Sequence, residues 1–220
     1  MLAKDGHDWD AIEASGFLDA LVPEAQGGAG LSLSDIEPLL RALGRHNCLL
    51  PVADAMVGRG LPEGRSEALS AILAACAMAG AMEHVLEISI TYTGDRVQFG
   101  KPISKIQAVQ HQLAVMAEHV VLARMASQLG CSQGLHPSTE IAAVAKQVTS
   151  ASVPTITGMA TAVHGAIGIT QEYALAAYVR RLHELRVAHG SESYWARKLG
   201  AARLASPDLQ TVDFVRAIQA

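Results

Sequence analysis

From Leu69 to Leu204 apolar residues return every three or four positions, and no useful stretch alternates with the two-residue period of a strand. That pattern confines the chain to packed helices. Leu69, Ile72, Cys76, Ala79, Met82, Leu86 and Ser89 share one face and predict a helix over about 66–93. Ile106, Val109, Leu113, Met116 and Val120 predict a second over about 104–129, with Ser104 as its cap. Ile141, Ala145, Val148, Ser152, Thr155 and Met159 predict a third over about 138–163, with a kink at Pro154. A fourth pattern spans about 173–204 and is broken near Gly190. Short joints between long amphipathic helices make neighbours antiparallel, so residues 66–205 are expected to form an all-α, up-down four-helix bundle. The small residues between Ala74 and Ala81 suit a helix that packs closely against its neighbours.

Before the bundle lies a helical region, residues 1–62. Trp9, Ile12, Phe17, Leu18 and Leu21 follow helical spacing with a break at Gly16. A glycine-rich loop follows, then a helix capped by Ser32 or Ser34 and expected to stop at Gly44, then a short helix opened by Pro51. Leu61–Arg65 is the boundary, so only a few residues connect the two blocks. Residues 206–220 read as a C-terminal tail. An aromatic share of 4% fits close helix packing better than a sheet.

Residues 1–40 hold eight acids against one base, and no basic stripe runs along any helix, which argues against a nucleic-acid partner. Cys48, Cys76 and Cys131 lie far apart in sequence with no metal-ligand spacing, so they read as reduced thiols and no metal site is expected. The most apolar window, 68–82, is shorter than the ~20 residues a membrane span needs. No basic-then-apolar leader opens the chain, so a cytoplasmic protein is expected.

The chemistry concentrates at two joints. In Arg96-Val97-Gln98-Phe99-Gly100-Lys101-Pro102-Ile103-Ser104-Lys105-Ile106-Gln107-Ala108-Val109-Gln110-His111, an arginine offers a planar fork of donors for phosphate and Phe99 offers a ring face. Read alone, Arg96 is also what a solvated arginine at a helix C-terminus looks like. In Val163-His164-Gly165-Ala166-Ile167-Gly168-Ile169-Thr170, the glycines permit close backbone approach to a ligand, or simply a helix-to-helix turn.

Both runs, in this order, resemble the flavin-contacting signatures of the acyl-CoA dehydrogenase family. Gly16–Glu24 and Gln26–Gly30 resemble parts of that family's N-terminal helical domain. The resemblance implies that residues 66–205 match the family's C-terminal bundle, while the middle β domain and the rest of the N-terminal domain have no counterpart. It implies FAD as cofactor and an acyl-CoA substrate. Arg96, Gln98, Phe99, Gln107, His164, Gly165 and Ser191 fall at cofactor-contacting positions. Ala162 and Ala166 replace a glutamine and a glycine common in the family.

Aligned without gaps from Glu172-Tyr173 and Arg180-Arg181, His189-Gly190-Ser191 falls on the family's Glu-Gly-Thr run, whose glutamate takes the α-proton. His189 therefore stands at the base position. The alternative position on the first bundle helix holds Ser70, followed by Ala71, with Glu67 one turn earlier. Two functions follow. One is flavin-dependent oxidation of a CoA thioester at Cα–Cβ, as a subunit or with impaired activity. The other is a non-catalytic helical scaffold or regulator. In either, a homodimer or higher oligomer is expected, and a full-length family subunit is a candidate partner.

Overall fold

In the computed structural model residues 9–219 are described; residues 1–8 of the N-terminal region and Ala220 lie outside them. The order is α1 (Trp9–Ala14), α2 (Leu33–Arg45), α3 (Val52–Gly60), α4 (Glu67–Asp95), a minimal hairpin β1 (Val97–Gln98) and β2 (Lys101–Pro102), α5 (Gln107–Cys131), α6 (Thr139–His164), α7 (Ala174–Val187), α8 (Glu192–Leu204) and α9 (Thr211–Gln219). The fold is all-α, with α4 through α7 as an up-down bundle and α8 continuing the fourth arm after a break at Ala188–Ser191.

Helix starts follow side-chain chemistry. The Ser32 hydroxyl accepts from the Asp35 N–H while the Asp35 carboxylate accepts from the Ser32 N–H, a reciprocal cap on α2. Ser66 and Ser138 cap α4 and α6 by accepting from Leu69 and Ile141 N–H groups. Ser104 does not cap α5. It sits in a 3-10 turn, Ile103–Lys105, and α5 begins after Ile106. The α6 helix continues through Pro154. The Leu18 segment is a 3-10 turn rather than helix, since Gly16 at φ 74° ends α1.

α4 is the central helix, and buried residues run along most of it. Although long and apolar enough to cross a membrane, it has 78% of its most apolar window buried inside the protein. Its first half packs with α1–α3, α8 and α9 around Leu18, Leu40, Met56, Ile72, Ile141 and Trp195. Its second half packs with α5, α6 and α7 around Met82, Val85, Met116, Ile156, Leu175 and Leu182.

Two further expectations are corrected. α2 runs through Gly44 to Arg45, because that glycine serves a close crossing and not a helix stop: a Cβ there would lie 2.0 Å from the Ala77 carbonyl oxygen. Residues 206–220 include a helix, α9, whose Ile218 is buried and whose Ile218 carbonyl accepts from Gln133 Nε2. Cys76 and Cys131, distant in sequence, meet in the core with sulfurs 3.6 Å apart, and that contact together with burial pushes the Cys76 thiol pKa up.

Candidate functional site

The sequence-predicted residues gather at the two ends of α4. At its C-terminal end the hairpin holds Arg96, Gln98 and Phe99, all exposed, with Phe99 89% exposed in a left-handed turn at φ 51°. The Arg96 carbonyl accepts from Ile103 N–H, which closes the hairpin and fixes the arginine at its mouth. Gln107 opens α5 beside it and is exposed.

The His164 loop arrives at the same end through a residue that the motif did not single out. Tyr92, one helical turn before Arg96, donates its hydroxyl to the His164 carbonyl at 3.2 Å and stacks on the imidazole at 4.4 Å. The sequence signal was its position four residues from Arg96 on one helix face. His164 is 3% exposed. Its Nδ1–H donates to the Ala160 carbonyl at 2.7 Å, since a carbonyl can only accept. Burial lowers its pKa and keeps the ring neutral. That leaves Nε2 as a buried acceptor with no hydrogen-bond partner among the described residues. Gly165 follows at φ 63°, with open space where a Cβ would stand.

His189 lies at the other end, after α7. Gly190 at φ 92° could not be replaced without meeting the rings of Tyr194 and Trp195. Trp195 Nε1 donates to the His189 carbonyl at 2.8 Å. Lys146, fully buried on α6, donates to the Leu185 and Arg186 carbonyls at 2.9 Å each and to Ser150 Oγ at 3.0 Å. The turn that carries His189 is therefore anchored on both sides. The imidazole itself is exposed. Desolvation first, then Arg65 and Lys146, lower its pKa, and Glu67 opposes them.

Ser191 starts α8 and is half-buried. Ser70 is buried and donates to the Ser66 carbonyl. Glu67 accepts from Tyr194 Oη at 2.5 Å and Lys198 Nζ at 2.6 Å, and the Lys198 bond leads in lowering its pKa. Glu192 is paired with Arg186.

His189 and Ser70 border one cavity of about 200 Å³ between α2, the loop that follows it, α3, α4 and α7, lined by leucines and alanines together with polar groups such as Asn47 and Asp54, and edged by Arg65 and Arg181. No group of three or more metal-ligating side chains exists among the described residues. Arg65, Arg181 and Lys146 were not singled out by sequence. The signal that could have found Lys146 is a lone charge following the apolar run 141–145.

The family model for the acyl-CoA dehydrogenase C-terminal domain matches residues 68–205. The chain is 34% identical over 114 residues to acyl-CoA dehydrogenase IpdE2 of Mycolicibacterium smegmatis, covering 52% of this chain and 36% of that protein. It is 32% identical over 127 residues to the short-chain specific acyl-CoA dehydrogenase of Megasphaera elsdenii, covering 57% and 33%. These matches span about a third of the relatives' own length. Among solved structures, butyryl-CoA dehydrogenase from Megasphaera elsdenii superposes with a TM-score of 0.55 at 27% identity, covering 70% of this chain and 38% of that one. A chain of the Tcur3481-Tcur3483 steroid ACAD variant reaches a TM-score of 0.78 at 19% identity over 91% of this chain and 89% of that one, a likeness of fold.

Proposed function

Because this chain belongs to the acyl-CoA dehydrogenase family, we propose that it takes part in flavin-dependent oxidation of a CoA thioester at Cα–Cβ as one subunit of a composite enzyme. The separation of its two site ends carries this reading. Ser70 and Arg96 bracket α4, and 26 residues at 1.5 Å each set them about 39 Å apart. Reacting groups must approach to about 3–3.5 Å. The Arg96 end and the His189 end of one copy therefore serve different reacting centres, and each is completed by another chain. A second copy supplies that chain in a homo-oligomer; a full-length family subunit would also bring a β domain.

Bound FAD would supply the acceptor for the hydride lost from Cβ. Arg96, Gln98, Phe99, Gln107, His164 and Gly165 suit its pyrophosphate and adenine end. The unpartnered His164 Nε2 is a buried acceptor suited to a ribose hydroxyl or an amine, and Gly165 leaves room for close approach. Ser191 would contact the cofactor at the opposite end. The chain's own chemical step is proton removal. His189 has a lowered pKa, so its ring is neutral near pH 7 and offers a lone pair to the α-proton, while Glu67 favours the imidazolium that forms.

The exposure of His189 and the engagement of Glu67 by Lys198 favour the second reading, a scaffold that keeps the bundle without the reaction. Turnover of a panel of acyl-CoAs, with added FAD and an electron acceptor, separates the two. The chain alone is expected to fall short of a family-like rate, and activity is expected when a full-length partner is added. His189→Ala should then lower the rate by ~10²–10⁴-fold, the usual cost of losing a general base. A colourless protein that stays inactive under both conditions is the scaffold.

A further inference from the structure

The proposed reaction makes no use of the buried thiols Cys76 and Cys131. Both are 0% exposed, and their sulfurs lie 3.6 Å apart although 55 positions separate them in sequence. The packing of three helices brings them together. Cys76 sits in the first half of α4, among the buried residues of that core. Cys131 is the last residue of α5. Gly130, just before it, lets the end of α5 lie close: a Cβ there would stand 2.8 Å from Ala145 Cβ and 3.2 Å from Ile72 Cγ1. α2 meets the same junction, where Ser34 Oγ donates to the Cys131 carbonyl at 3.0 Å and Glu37 Oε1 accepts from Ser127 Oγ at 2.8 Å.

Two thiols in contact can hold a metal or join to each other. No group of three or more metal-ligating side chains exists among the described residues, so the pair lacks the further ligands of a thiolate metal site. Joining needs only the two side chains and an oxidant. The sulfurs must close from 3.6 Å to about 2.05 Å. Cys131 can supply that movement, because the last turn of a helix opens more readily than the middle of a buried one such as α4. The third cysteine, Cys48, lies on the loop after α2 and borders the cavity near His189 instead.

We propose that Cys76 and Cys131 are a thiol–disulfide couple: a hydroperoxide oxidises them to a disulfide that staples the end of α5 onto α4. In the first step one sulfur takes an oxygen from hydrogen peroxide. The O–O bond breaks, and the hydroxide that departs takes the thiol proton and leaves as water. In the second step the other sulfur attacks this sulfenic acid. The S–O bond breaks, and its oxygen leaves as a second water with the second thiol's proton. The thiols lose two electrons, the peroxide gains them, and the products are one disulfide and two waters. Contact with Cys131 first, then burial, keeps the Cys76 thiol protonated, which makes Cys131 the sulfur oxidised first and Cys76 the one that resolves it. Hydrogen peroxide is small and uncharged, so opening of the last turn of α5 admits it. No flavin or acyl-CoA takes part.

The test is titration of the purified, reduced chain with hydrogen peroxide, well below its melting temperature. Wild type and Cys48→Ser are run side by side, the variant removing the third thiol. Free thiols are then alkylated in denaturant and the chain is mapped by peptide mass. The expected product is a linked pair of peptides carrying Cys76 and Cys131, two hydrogens lighter than the separate peptides, with neither sulfur alkylated. The melting temperature, followed by circular dichroism, should rise by about 5–10 °C, the size expected for closing a long loop in a chain of this length, and a thiol reductant should reverse the rise. Cys76→Ser and Cys131→Ser should show no rise. Linkage and its reversal are read with both cysteines in place, so the result does not depend on those two variants folding. Two alkylated thiols after peroxide, a sulfinic acid on one sulfur with no linkage, or a linkage through Cys48 would each overturn the proposal. So would a Cys76–Cys131 linkage that leaves the melting temperature unmoved or lower, since it would staple nothing.

Discussion

Lys146 shows how much one side chain can determine here. Its three ammonium donors meet three acceptors, two of them the carbonyls that end α7. Burial, aided by Arg186 and opposed by Glu192, pulls its pKa down to about 8 from an ordinary 10.5. The folded state therefore holds fewer protons than the unfolded state between those values, and stability rises with pH across that window. Below pH 8 the cost of burying the charge is fully present; above 10.5 it is gone. Lys146→Met should be less stable at pH 7, because it strands the α7 carbonyls at about 1–3 kcal/mol each. The gap between wild type and variant should widen from pH 8 to 10.5. Urea unfolding at several pH values checks this, and a gap that narrows or stays flat would sink the buried-ammonium account. None of this was legible in sequence. Arg96, Phe99, His164 and His189 stood out because each sits within a local motif, whereas Lys146 and Tyr92 acquire their roles from contacts made 39 to 72 residues away and Arg181 from its place at a cavity.

At the scale of elements, the glycines on α2 and α4 set how closely these helices cross. A Cβ on Gly80 would lie 1.8 Å from the Arg41 carbonyl oxygen, and one on Gly44 would lie 2.0 Å from that of Ala77. Both obstacles are backbone, so no rotamer change relieves them. Gly80→Ala should destabilise by about 1–3 kcal/mol through overpacking, against about 1 kcal/mol of helix propensity gained. Gly158→Ala, mid-helix in α6 with nothing within 4 Å of the new methyl, should stabilise by about 0.5–1 kcal/mol. Denaturant midpoints of the two variants should move in opposite directions; a shared direction would show that propensity, not the crossing, decides. Helix positions were legible because a 3.6-residue period repeated over 25 residues leaves no competing reading. Boundaries were less so. Gly44 reads as a stop in one dimension and as a contact in three, and α9 is nine residues whose apolar face matters only once α6 lies beneath it.

For the whole molecule, the consequence of α4 is that cofactor-end and base-end functions are physically separable. Sites about 39 Å apart on one rigid helix share no partners within one chain, so each can be altered without disturbing the local structure of the other. In the composite assembly, Arg96→Ala should therefore reduce flavin retention, read as visible absorbance after gel filtration, while leaving the acyl-CoA affinity of the His189 cavity unchanged. His189→Ala should do the reverse: flavin stays bound, and turnover falls. The double variant should lose flavin as Arg96→Ala does, and turnover with it. Since each centre draws one end from each of two chains, the assembly that shows this must also scatter light as more than one 23.1 kDa chain at micromolar concentration. A monomeric mass, with flavin bound and turning over, would mean that one chain closes the site by itself. The length of α4 forbids that unless the Arg96 end plays no part in holding the cofactor.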